Sequence, residues 1–275
     1  MLSCLEIDLM NTTILSTGNK GGVGKTTTAQ GIIEYLMAGE VPVHIAQIDR
    51  QARLAQLNNC EVLTIASDPD AARVEPALEM ARFGPLMDLL DATVGKGTTV
   101  IDLGANEVDR FSAWARLCEL DEELVGAGRT TLIFNVFNAE EQSIIEAAKS
   151  AEMMSSALPS AQIVYVENQR FSRVKDLNPG SAALSTYQRL IEPALKTAPS
   201  ICIPRISGNS YQWFEQQRIS FGRVALMDTH EIMAVTGLGK ADAKIARGDI
   251  AHWMGNVFGQ LDTILGHGVR ADDRI

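Results

Sequence analysis

Cysteine is scarce and scattered: Cys4, Cys60, Cys118 and Cys202 are the four in 275 residues. No C-x-x-C or C-x-C pair exists, so a zinc or iron–sulfur ligand set has no local support. Cysteines spread this way are expected to be small buried hydrophobes in a reducing compartment. Long apolar runs are missing too: none approaches the roughly 18 residues needed to cross a bilayer, and no basic-then-apolar leader opens the chain. A cytoplasmic location is the expectation. Positive charge is short, with 24 Lys+Arg against 34 Asp+Glu and a net charge of −10. That excludes a whole-surface attraction to nucleic acid or anionic lipid, while leaving room for a local patch. What is present is ordinary globular material, 46% hydrophobic and 21% charged, which rules out fibrous and fully disordered classes.

The apolar pattern alternates strands with helices. Thr12 to Thr17 reads as a strand, followed by a glycine-rich loop and a helix from about Lys25 to Ala38. That helix carries Ala29, Ile32, Ile33, Leu36 and Met37 at helical spacing and stops at Gly39. Further strands are expected at Val41–Ile48, Thr99–Leu103, Thr131–Phe137, Ala161–Val166 and Ser200–Ile203, with a helix over Ala139–Ser155 among the connections. Short apolar strands separated by helices predict an α/β fold: a mostly parallel central sheet with helices on both faces. No repeat, low-complexity tract or linker interrupts the pattern. Residues 10–275 therefore read as one domain and residues 1–9 as an N-terminal extension.

The most specific signal is Asn19-Lys20-Gly21-Gly22-Val23-Gly24-Lys25-Thr26-Thr27, between a strand and a helix. Glycines let successive backbone N–H groups point at phosphate oxygens, and the helix N-terminus adds its positive end. Lys25 would reach the β- and γ-phosphates and Thr26 would offer a hydroxyl to Mg²⁺. This predicts a nucleotide site in a P-loop fold. The first position of the plain G-x-x-x-x-G-K-[ST] pattern holds Asn19, and an additional lysine, Lys20, follows it.

KGGVGKTT resembles the deviant Walker A signature of the ParA/MinD family of ATPases. The resemblance implies ATP and Mg²⁺ as cofactors, an ATP-bound homodimer, and a role for Lys20 at the partner subunit's nucleotide. Gln47-Ile48-Asp49-Arg50-Gln51 is similar to the family's D-x-D-P-Q segment, with Gln47 and Arg50 in place of the first aspartate and the proline. Asp49 is thereby the candidate to orient the attacking water or hold the Mg²⁺ shell. Val100-Ile101-Asp102 ends a strand as a Walker B segment does, making Asp102 a Mg²⁺ candidate through water. The family's D-x-P is Asp102-Leu103-Gly104 here. Asn168, at the end of a strand, and Ile203-Pro204-Arg205, similar to the family's I-P-R, are the candidates near adenine.

Charge is uneven along the chain. From Arg170 to Arg223 there are eight basic and three acidic residues, a net of +5. Arg170, Arg173, Lys175, Arg189, Arg218 and Arg223 are candidate contacts to non-specific DNA, the job that the corresponding half performs in partition ATPases. Surface ion pairing is the competing reading. A MinD-like membrane helix is disfavoured, because Lys240–Leu265 has an apolar face but no Lys or Arg between Asp249 and His267. A metal-handling relative would need paired cysteines, and Cys118 has no near partner. The resemblance thus implies an ATP-dependent dimerisation switch with slow hydrolysis, stimulated by a protein partner, in the partition or positioning of DNA. Two alternatives stay open: an accessory ATPase of conjugative DNA transfer, and a nucleotide-gated binding module with negligible turnover.

Overall fold

The computed structural model describes residues 7–49, 52–57, 61–66, 80–208 and 210–266. Most of the N-terminal extension, Cys4, Cys60, Arg50 and Gln51 lie outside the described residues. The elements run β1 (Asn11–Thr17), α1 (Lys25–Ala38), β2 (Val43–Ile48), α2 (Arg53–Leu57), β3 (Val62–Thr64), α3 (Gly84–Ala92), β4 (Gly97–Leu103), α4 (Val108–Leu117) and α5 (Leu120–Gly126). They continue with β5 (Thr130–Phe137), α6 (Glu141–Ala157), β6 (Gln162–Asn168), α7 (Ala182–Leu190), β7 (Ser200–Ile203), α8 (Gln212–Gln216), α9 (Phe221–Leu226), α10 (Thr229–Thr236) and α11 (Lys240–Leu265).

Among the described residues seven strands pair in parallel, in the order β3-β2-β4-β1-β5-β6-β7. Because side chains alternate along a strand, each central strand feeds two cores. Ile14, Val100, Leu132 and Val164 face one helical layer, with Ile32, Leu36, Phe214, Phe221, Trp253 and Val257. Leu15, Ile101 and Ile133 face the other, with Leu86, Phe111, Trp114 and Met154. Near-continuous burial explains why these strands do not alternate apolar with polar residues. The second strand starts at Val43 rather than Val41, since Pro42 has no N–H to give and contributes only its carbonyl, to Thr98 N at 2.9 Å.

The 26-residue α11 buries Ala243, Ala246, Ile250, Trp253, Val257, Leu261 and Leu265. It is the helix that closes over one face of the sheet, tied down where the Tyr35 hydroxyl donates to Asp262 at 2.7 Å. Among the described residues no helix is long and apolar enough to cross a membrane.

The strand order matters for the site. In open parallel sheets, ligands bind where the C-terminal strand ends meet at a change in connection direction. Here the loop after β1 leaves from the middle of the sheet, with β4 on one side and β5 on the other. Register aligns Ser16 of β1 with Asp102 of β4, and Asp102 with Gln47 of β2. The phosphate-loop strand and both acidic-segment strands therefore end side by side.

Candidate nucleotide site

The loop from Gly18 to Gly24 carries the chain from β1 into α1. Gly24 is its tightest point. Its φ is 101°, and an added Cβ would lie 2.0 Å from Asn168 Nδ2, so both backbone conformation and space demand glycine. Gly22 also has a positive φ, 77°, but open space around it. The helix is entered without a side-chain cap, so its first N–H groups retain donor capacity for an anion.

Five predicted residues converge here, Lys20, Lys25, Thr26, Asp49 and Asp102. Thr26 Oγ1 donates to Asp102 Oδ2 at 2.7 Å, linking the phosphate loop to the Walker B-like strand end. Lys25 Nζ donates to the Lys20 carbonyl at 2.9 Å, so the lysine arches back over its own loop. Burial lowers the Lys25 pKa from the usual lysine value, opposed by the charges of Asp102 and Asp49. Burial also raises the Asp102 carboxyl to about 6, against the Thr26 hydrogen bond and Lys25. Asp102 Oδ1 is buried without a hydrogen-bond partner, as is Thr17 Oγ1. A strand-end carboxylate with an unsatisfied inner oxygen beside a threonine hydroxyl is the donor set that suits a hydrated hard cation. The residues present therefore fit Mg²⁺, which Thr26 and Asp102 would hold.

The departures from the family pattern are packed into the structure. Gln47, in place of the first aspartate, is 1% exposed. Its Oε1 accepts from Leu54 N at 3.0 Å and its Nε2 donates to Thr64 Oγ1 at 2.7 Å. It fastens α2 to β3. Gly104, in place of the proline, donates its N–H to the Ile48 carbonyl at 2.8 Å, a bond proline could not make. A Cβ on Gly104 would lie 2.7 Å from that carbonyl and 3.1 Å from Asp49 Cγ. The two strand exits that bear Asp49 and Asp102 thus touch at Gly104.

Lys20 forms an ion pair with Glu140, just before α6. The neighbouring Asn19 donates to Glu146 of α6 at 3.3 Å. Neither glutamate carries a motif, and no sequence signal could have marked them. Of the residues expected near adenine, Asn168, Pro204 and Arg205 line one cavity of about 260 Å³ that reaches Thr27 of α1. The Asn168 amide, however, donates to the Val23 carbonyl at 2.7 Å, and its oxygen accepts from Arg170 N at 3.0 Å. In this structure it braces the phosphate loop.

The proposed DNA contacts are less uniform. Arg173 pairs with Asp176 at 2.5 Å and Arg223 with Glu231 at 3.1 Å, which is the ion-pairing alternative realised at two positions. Arg170 lies over the Phe171 ring at 5.3 Å. Lys175, Arg189 and Arg218 are exposed.

No family model matches the sequence, and no curated protein matches it. Among solved structures, the chain is similar to an ATP complex of a Cyanothece McdA variant: 15% identity, 90% of this chain and 98% of that one covered, TM-score 0.45. It is also similar to a chain of the MinC:MinD cell division protein complex of Aquifex aeolicus: 15% identity, 89% and 96% covered, TM-score 0.42.

Proposed function

We propose that this chain is a P-loop ATPase that uses ATP and Mg²⁺ to join two copies and slow hydrolysis to part them. The observation that carries the reading is the junction of Thr26 with Asp102 at 2.7 Å beneath a glycine-built loop and the buried Lys25. A glycine loop alone binds many anions; a loop joined to a strand-end carboxylate is built for a phosphate chain carrying a hard cation. Mg²⁺ would neutralise phosphate charge when bound. Lys25 and the loop N–H groups would hold the phosphates, and Asp49, at the adjoining strand exit, would orient the attacking water. Lys20 would leave Glu140 for the partner's nucleotide. Non-specific DNA is the proposed cargo surface, through Arg170, Lys175, Arg189 and Arg218, with a stimulating protein partner. The work is partition or positioning of DNA.

A second reading, a nucleotide-gated module with negligible turnover, is favoured by one observation: both ends of the Gln47 amide are engaged inside the protein, so that position brings no carboxylate to the reaction. One set of measurements separates these readings. Calorimetric titration with Mg·ATP should show binding that Lys25→Ala abolishes, and light scattering should show dimers with ATP but not ADP. Phosphate release then distinguishes enzyme from module. Anisotropy on a duplex over a salt series tests the cargo surface, with ATP-dependent binding expected to fall steeply with salt. Unchanged binding in Lys25→Ala would overturn the site assignment.

A further inference from the structure

The cavity beside Thr27 is more than a slot for a flat ring, because its polar groups divide into those already engaged and those left over. Asn168, the residue whose amide looks suited to a base edge, has its nitrogen on the Val23 carbonyl and its oxygen on Arg170 N. The Trp253 indole N–H donates to the Pro204 carbonyl at 2.8 Å. Neither is at leisure to read a ligand. Arg170 and Arg205 line the cavity but only donate.

The remaining wall is the short helix α8 and its N-cap residue. Tyr211, Gln212 and Glu215 all line the cavity, and their spacing of three and four places them on one side of the turn. Tyr211 packs on Phe221 with ring centroids 4.2 Å apart, which fixes the N-cap end of α8 against the cavity floor. Burial, then the charges of Glu215 and Glu34, raises the Tyr211 hydroxyl above the usual tyrosine value, so it stays a donor. Among the described residues, the Glu215 carboxylate makes no side-chain hydrogen bond or ion pair, and it is the only carboxylate lining the cavity.

We propose that Glu215 selects the base, its carboxylate accepting a hydrogen bond from an amino group on the Watson–Crick edge of a purine. This rests on the nucleotide site proposed above and moves base recognition from Asn168 to α8. The chemistry is shared by the 6-amino group of adenine and the 2-amino group of guanine, and a purine lacking both offers the carboxylate no exocyclic donor.

The test compares affinities in pairs: ATP against purine riboside 5′-triphosphate, which lacks the 6-amino group, and GTP against ITP, which lacks the 2-amino group. The wild-type chain should favour the amino member of one pair by about tenfold. Glu215→Ala should reduce that preference to about twofold or less, and Glu215→Gln, which keeps an acceptor oxygen, should retain part of it. The first pair responding assigns adenine and the second guanine. Glu215 is exposed, so loss of fold is not expected, and a thermal scan checks it. Equal preference ratios in wild type and Glu215→Ala would overturn the proposal. Failure of the wild type to bind any triphosphate, with Lys25→Ala no different, would instead overturn the nucleotide site itself.

Discussion

Asp102→Asn should make the nucleotide-free protein more stable at neutral pH while removing its response to Mg·ATP. The Asp102 carboxyl titrates near 6 in the folded chain against 3.8 as its ordinary value, chiefly because it is buried. A folded pKa above the unfolded one means that ionisation penalises the folded state. The penalty is absent below about pH 4, grows as pH rises, and is complete above about pH 6. A gap of this size between the folded and unfolded titrations is worth about 3 kcal/mol. Asparagine removes the charge and keeps an oxygen for the Thr26 hydroxyl, so the stabilisation at pH 7.5 approaches that figure as an upper limit. Lys25 loses an attractive neighbour in the exchange, which offsets part of the gain. At roughly 2 °C per kcal/mol for a domain of this size, the melting temperature should rise by up to about 6 °C. Melting followed by circular dichroism in EDTA, at pH 7.5 and pH 4, reads this directly. The difference between wild type and variant should nearly vanish at pH 4. Adding Mg·ATP at a thousand times its Kd should reverse the order, since the wild type alone gains about 4.1 kcal/mol by linkage. A variant that is less stable at pH 7.5 without nucleotide, or a difference independent of pH, would refute the reasoning.

Other substitutions probe the remaining contacts. Lys20→Ala should still bind ATP by calorimetry but stay monomeric in light scattering, whereas Glu140→Gln, which frees Lys20 from a partly exposed ion pair, should lower the ATP concentration needed for dimers by up to about fivefold. Gly24→Ala should abolish nucleotide binding and lower the chemical-denaturation midpoint, because a φ of 101° and the Asn168 amide both oppose a Cβ; strain of this kind costs about 1–3 kcal/mol before any clash. Adding Asn168→Ala should recover the part of the stability lost to the clash, but not binding. Gly104→Pro, which would match the D-x-P of the ParA/MinD pattern, should slow phosphate release, since it removes the bond to Ile48 and presses on Asp49. Asp49→Ala should accumulate ATP-bound dimers visible by light scattering.

The features legible in the sequence are those whose chemistry is local. A phosphate loop declares itself because turn, glycines, lysine and threonine must be adjacent, and the chain from Thr17 to Thr28 holds all of it. The parallel sheet is legible for a similar reason: most strands carry a short apolar or β-branched stretch between helical patterns. Only β3, three residues long, has no pattern to find. The short helices α8 to α10 escape likewise, at five, six and eight residues, too brief for helical periodicity to separate from chance. What stays hidden is how side chains are used at long range. Gln47 reads in the sequence only as a missing carboxylate. In the fold it is a bridge from β2 to α2 and β3, so reverting it to aspartate would shorten a buried strut and disturb its partners. Asn168 reads as a base-facing amide because it ends a strand beside the cavity, yet the carbonyl it binds lies 145 positions earlier. Its identity is set by Gly24: the glycine that lets the phosphate loop turn also opens the space that the asparagine fills. The two residues form one device, in which the far end of the sheet holds the phosphate loop in shape. On the proposed nucleotide reading, base recognition falls to groups that the loop does not already use.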